Sequence, residues 1–81
     1  MPDLQILHRN HFRPLKKATA RQIAGNCWEV TIPITENRRW LPGTQASDFD
    51  AAVVLVGDEE SNQVIGTGEG SDFVVVTVVL S

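Results

Sequence analysis

The clearest pattern in the chain is a strict alternation of apolar and polar side chains over residues 28–34. One face carries Trp28, Val30, Ile32 and Ile34, and the other carries Glu29, Thr31 and Pro33. A period of two in a segment rich in β-branched residues predicts a half-buried strand. Because Pro33 has no N–H to donate, we expect it on a sheet edge or with its nitrogen turned towards solvent.

A tight turn precedes this strand. Gly25 and Asn26 occupy the two central positions between Ala24 and Cys27, and Gly at the first of them suits a type II′ hairpin turn. The sequence therefore predicts a hairpin whose first strand ends at residue 24. In the simplest register Ile23 faces Trp28, Gln22 faces Glu29 and Arg21 faces Val30.

Residues 14–24 also fit a helix, which is the main alternative. Leu15, Thr19 and Ile23 are spaced at i, i+4 and i+8, and Gly25 would follow the last turn. Against the helix, Arg13 is a poor N-cap. We favour the hairpin because its turn chemistry is more specific than this thin apolar stripe.

The second half of the chain predicts a meander of short strands. An apolar run at 51–56 is followed by a polar turn at 57–62, a strand at 63–67, a turn at 68–72 and a strand at 73–80. Connections this short favour antiparallel neighbours. The first and last of these strands are apolar on both faces, so each face needs a cover.

These patterns predict a single, mainly β domain over residues 1–81, barrel-like or sandwich-like, with about five antiparallel strands. A short helix at 14–24 would make the domain α+β. The predicted core consists of Leu4, Ile6, Ile23, Trp28, Val30, Ile32, Val53, Leu55, Val64, Ile65, Phe73, Val75, Val78 and Leu80.

Composition agrees with a folded domain and limits how it is stabilised. The chain has 81 residues, of which 42% are hydrophobic and 21% are charged. A core this small gives little stability without a disulfide, a metal or self-association. The single Cys27 excludes an internal disulfide. No apolar segment is long enough for a secretory leader or a membrane span, which favours the cytoplasm and no membrane partner.

Charge is distributed unevenly along the chain. Residues 1–40 hold all seven cations and three carboxylates, a net charge of +4, whereas residues 41–81 hold seven carboxylates and a net charge of −7. Basic residues interleaved with Phe12 and Trp40 are suited to nucleic acid or another anionic partner, although the chain's pI of about 5.1 counts against nucleic acid. The candidate contacts are Arg9, Arg13, Lys16, Lys17, Arg21, Arg38 and Arg39.

Other motifs indicate little chemistry. The glycines of residues 66–70 follow a G-x-G-x-G spacing beside acidic residues, which predicts a bulged hairpin turn and no phosphate loop. Cys27 with His8 or His11 could form a thiol–imidazole pair, but a small half-buried thiol is the better interpretation. We expect no metal site, since two histidines supply too few ligands, and no cofactor.

Three function hypotheses follow. The first is a non-enzymatic protein-interaction or assembly module that self-associates, because strand 73–80 has two apolar faces and one small core cannot bury both. One of these faces, the candidate contact, consists of Val74, Val76, Val78 and Leu80. The second is a small nucleic-acid-binding regulator that uses the basic half. The third is an enzyme with Cys27 as its nucleophile.

Overall fold

Seven antiparallel strands form one curled sheet in a computed structural model, which describes residues 2–81. The strands are β1 (Leu4–His8), β2 (His11–Pro14), β3 (Thr19–Ala24), β4 (Cys27–Pro33), β5 (Val54–Val56), β6 (Glu59–Glu69) and β7 (Phe73–Leu80). Between β4 and β5 lie a short helix, α1 (Ile34–Asn37), and two 3₁₀ turns, Arg38–Trp40 and Ala46–Phe49. The predicted mainly β class is confirmed, although the domain has seven strands where the sequence predicted about five.

The sheet curls into a half-barrel around β6. Its strand order is β2-β1-β5-β6-β7-β4-β3, so β6 joins two halves of three strands each. β6 pairs with β5 at Glu59 and Glu60 and with β7 from Ser61 onward, with register shifts at Asn62 and Ile65. Each shift inserts an extra residue, and bulges of this kind bend a strand and increase its twist. The two halves consequently face each other across one core.

The hairpin formed by β3 and β4 confirms the predicted turn and excludes a helix at 14–24. Ala24 pairs with Cys27, and Gly25 has a φ of +46°. The predicted register is wrong by one residue, since Gln22 lies opposite Trp28 and Arg21 opposite Glu29. Ile23 is the extra residue of a bulge, and 45% of it is exposed. Pattern alone could not reveal this bulge.

A second hairpin joins β1 and β2 and was not predicted. Arg9 and Asn10 occupy its turn with φ values of +50° and +67°, and His8 pairs with His11 on either side. Two consecutive positive φ values are typical of a type I′ turn. Arginine seldom adopts a positive φ, so of the two central residues only Asn10 is a residue type that indicates this turn.

The polar segments of the second half lie partly in strands. Gly57 and Asp58 alone form the β5–β6 turn, so the predicted turn at 57–62 is too long. The glycine segment 66–70, predicted as a bulged hairpin turn, lies mostly in β6, because Gly66 to Glu69 pair with β7. The reversal comes at residues 70–72, within the turn predicted at 68–72. Glycine lowers strand propensity, but the neighbouring strand supplies the pairing here.

The core lies on the concave side of the half-barrel. Predicted core residues that are buried are Leu4, Ile6, Val30, Ile32, Val78 and Leu80. Those that are half-buried are Trp28, Val53, Leu55, Val64 and Val75. The predictions for Ile23, Ile65 and Phe73 are wrong, since each is at least 39% exposed. Buried residues that the sequence did not identify are Ile34, Leu41, Phe49, Val54, Val56, Val74 and Val76.

The connection between β4 and β5 packs against this core. Phe49, in the second 3₁₀ turn, has no exposed surface and belongs to the core cluster with Leu41 and Ile34. Asn37 is buried to 1% exposure, and its side chain accepts a hydrogen bond from the Lys16 N–H and donates to the carbonyls of Lys16 and Pro33. This one amide fixes the β2–β3 connection against α1.

Candidate interaction surfaces

The two faces of β7 lie in different environments. Its inward side chains are Val74, Val76, Val78 and Leu80, all buried at 4% exposure or less. These are the residues that the sequence indicated for self-association. The contact predicted for them needs correction, because they already form the core of a single chain and a partner cannot reach them. β7 lies inside the sheet, since β6 and β4 flank it.

The opposite side of β7 faces outward, and we call it and its immediate neighbours the outer β7 face. It carries Phe73, Val75, Thr77 and Val79 on β7, Cys27, Glu29, Thr31 and Pro33 on β4, and Gln63, Gly66 and Gly68 on β6. The register places each of these neighbours directly opposite a β7 residue. Phe73 is 39% exposed, and the other three β7 residues are half-buried.

The outer β7 face combines the apolar side chains of β7 with small and polar neighbours. Gly68 lies beside Val75, and a methyl group built on Gly68 would meet no atom within 4 Å. Glu29 lies opposite Thr77 in the middle of this face, and its carboxylate forms an ion pair with Arg21 at 3.1 Å. The middle of this face therefore offers small apolar groups and one neutralised charge.

A second feature is a cluster of basic and aromatic side chains, the Trp40 cluster, formed by His8, Arg13, Arg39 and Trp40. The guanidinium carbons of Arg13 and Arg39 lie 4.6 Å and 4.5 Å from the centroid of the Trp40 ring. The His8 ring meets the same indole edge-on, with 5.7 Å between centroids. Cations at such distances are attracted to the indole π-system.

Strand pairing explains how this cluster assembles. Arg13 lies opposite Ile6 on the neighbouring strand, so its side chain projects towards the concave side of the sheet, as does His8 two residues beyond Ile6. Trp40 and Arg39 come from the 3₁₀ turn that follows α1. Residues 13 and 40 are far apart in sequence, and no local pattern could have paired them.

The other predicted basic contacts are dispersed. Lys17 pairs with Glu36 at 3.9 Å, and Arg21 pairs with Glu29 beside the outer β7 face. Arg9, Lys16 and Arg38 are exposed. Of the seven candidates, the structure thus brings Arg13 and Arg39 together at one aromatic ring and places Arg21 elsewhere.

A cavity of about 350 Å³ opens at the other end of the half-barrel. It is lined by Pro2, Gln22, Gly25, Asn26, Trp28, Val56, Glu59 and Leu80. Leu4, which pairs with Val56, marks this end of β1, and His8 marks the end at the Trp40 cluster. The two features are therefore separated along the sheet.

The remaining candidate chemistry is scattered. Cys27 lies on β4 opposite Val79, whereas His8 and His11 lie on β1 and β2, with three strands between β1 and β4 in the sheet order. Within residues 2–81, no group of three or more His, Cys, Asp or Glu side chains is arranged to hold a metal ion. In the same residues no helix has the length and apolar character that a membrane crossing requires.

Comparisons with family models, curated proteins and solved structures find no match to this chain.

Proposed function

We propose that this protein is a non-enzymatic interaction module that self-associates through the outer β7 face. The observation that carries the proposal is the apolar outer side of β7, where Phe73 is 39% exposed beside half-buried Val75 and Val79. Contiguous apolar surface on a small domain is typical of a contact site. Apart from Thr77, β7 carries apolar side chains on both of its faces, whereas antiparallel sheets commonly keep one face polar and solvated.

A second copy of the chain is the partner that this surface fits best. Two sheets can pack face to face at about 10 Å when their contacting side chains are small and apolar. Gly66 leaves room beside Thr77 and Gly68 beside Val75, and the ion pair between Glu29 and Arg21 neutralises a charge that would repel its counterpart in a twofold contact. A twofold interface uses the same patch on both copies, so one apolar patch is sufficient.

Sedimentation velocity over a range of concentrations tests the proposal. We expect the wild type to shift from monomer to dimer as its concentration rises, and Val75→Lys to stay monomeric, because a lysine ammonium at the centre of the contact would be desolvated without a partner. Leu7→Lys is the control, since Leu7 is 37% exposed on β1, outside this face.

Circular dichroism spectra must show that both variants remain folded. The proposal fails if the wild type is monomeric at every concentration, or if Val75→Lys dimerises as well as the wild type. Equal loss of the dimer in both lysine variants would also overturn it, because the effect would then come from added charge and not from this face.

A further inference from the structure

The two arginines of the Trp40 cluster have no acidic partner among residues 2–81, as is also true of Arg9, Lys16 and Arg38. Lys17 and Arg21 each pair with a glutamate, but neither Arg13 nor Arg39 has a carboxylate within ion-pair distance among residues 2–81. In addition, the Nε atom of Arg13 is buried and has no hydrogen-bond partner in this part of the chain. Because this Nε is enclosed, it cannot meet an incoming anion, and the terminal Nη groups of the two guanidiniums are the donors left for a ligand.

We propose that the Trp40 cluster binds the phosphate groups of a nucleic-acid strand. A guanidinium presents several N–H donors in one plane, and two of them can bind two oxygens of one phosphate. Contact with the indole holds the planes of Arg13 and Arg39 in place before the ligand arrives, so less side-chain entropy is lost on binding. This site is separate from the outer β7 face and does not depend on self-association.

Cations beside the cluster favour a strand with several phosphates over a single phosphate. Arg9 is exposed in the β1–β2 turn, which follows His8, and Arg38 is exposed next to Arg39 in the sequence. Several cations can contact successive phosphates of a backbone, with an affinity that falls steeply as the salt concentration rises, because the counterions that binding releases then gain less entropy. Because the Trp40 ring already contacts two guanidiniums, the cluster reads the backbone and has little sequence preference.

The acidity of the whole chain does not conflict with this site. Among residues 2–81 no carboxylate is within ion-pair distance of Arg13 or Arg39, and Glu59 lines the cavity at the opposite end of the half-barrel. Exposed charges separated by more than about 10 Å are largely screened at physiological salt. Local positive charge can therefore bind phosphates although the formal net charge is −3.

Fluorescence anisotropy of a labelled, mixed-sequence single-stranded oligonucleotide tests this proposal. We expect the wild type to bind at ~50 mM salt and Arg39→Gln to bind several-fold more weakly, with a log–log salt slope shallower by about one unit. Lys17→Gln is the control, because it removes the same charge from a side chain that is already ion-paired and lies outside the outer β7 face. It should change neither the affinity nor the slope.

Three outcomes overturn the proposal. The first is no binding of the oligonucleotide by the wild type at ~50 mM salt. The second is an equal loss of affinity in the two glutamine variants, which indicates diffuse attraction without a defined site. The third is binding of anionic lipid vesicles or of a polyglutamate peptide as tight as that of the oligonucleotide, which reassigns the cluster to another polyanion. Thermal melts verify that each variant is folded.

Discussion

Val75 and Val76 are adjacent and chemically identical, but they occupy opposite faces of the same strand. Val76 has no exposed surface and packs in the core, whereas Val75 is half-buried on the outer β7 face beside Gly68. The curl of the sheet produces this difference, since only its concave side receives the β4–β5 connection and Phe49. The inner face therefore accounts for folding, and the outer face is free for the contact that we propose.

The largest difference in stability is expected between lysine variants at Val75 and Val76, one on each face of β7. We expect Val76→Lys to destabilise the chain by more than about 4 kcal/mol and to prevent folding, because a buried ammonium without a partner is very unfavourable. Val75→Lys should cost the monomer less than about 1 kcal/mol, since the lysine head can reach water. Thermal and denaturant melts followed by circular dichroism measure both. If the two variants melted alike, the assignment of the faces would be wrong.

The next largest loss of stability should come from substituting Asn37, whose side-chain amide joins the β2–β3 connection to α1 on the inner side of the sheet. Asn37→Ala removes three hydrogen bonds and leaves the N–H and carbonyl of Lys16 without their partner, so we expect a loss of about 3 kcal/mol. Asn62→Ala is the matched control on an exposed bulge of β6, where the change should be within about 0.5 kcal/mol.

Denaturant melts of the two alanine variants decide between a structural and a minor role for Asn37. A loss below about 1 kcal/mol would show that the β2–β3 connection is held by packing of Leu15 and Ala18 against the core and not by this amide.

A smaller loss of stability is expected for substitution of Trp28, which lies where the inner face borders the cavity. Emptying the site of a core tryptophan costs about 3–5 kcal/mol, but Trp28 is half-buried and lines the cavity, so we expect Trp28→Ala to cost about 2 kcal/mol. Denaturant unfolding of the variant measures this. A loss of about 3–5 kcal/mol would show that Trp28 packs as fully as a core tryptophan. A loss below about 0.5 kcal/mol would show that Trp28 contributes little to the core.

The sequence predicted the positions of the strands better than it predicted which face of each strand points into the core. Alternation identified β4 and its inward residues Val30 and Ile32, and glycine with asparagine identified the turn before it. In β5 and β7 both faces are apolar, so the pattern cannot say which one is inward, and Val54, Val74 and Val76 were missed. Only the bulges and curl of the assembled sheet decide that.

The candidate sites were less predictable than the fold. The composition of the basic half indicated anionic contacts, but it could not select Arg13 and Arg39 from seven cations, because their common partner Trp40 is brought to them by the chain between β4 and β5. Asn37 was missed for a similar reason, since its partner Lys16 lies 21 residues away. Contacts of this range leave no local signal in the sequence.

The rate of alkylation of Cys27 tests the central claim most directly. Cys27 is the single cysteine, is half-buried and lies on the outer β7 face opposite Val79, so a second copy on this face would shield it. We predict that its rate constant with iodoacetamide falls as the concentration of wild-type protein rises through the dimer range, and stays constant in Val75→Lys. A wild-type rate constant that does not change while sedimentation shows a dimer would contradict the account and place the interface elsewhere.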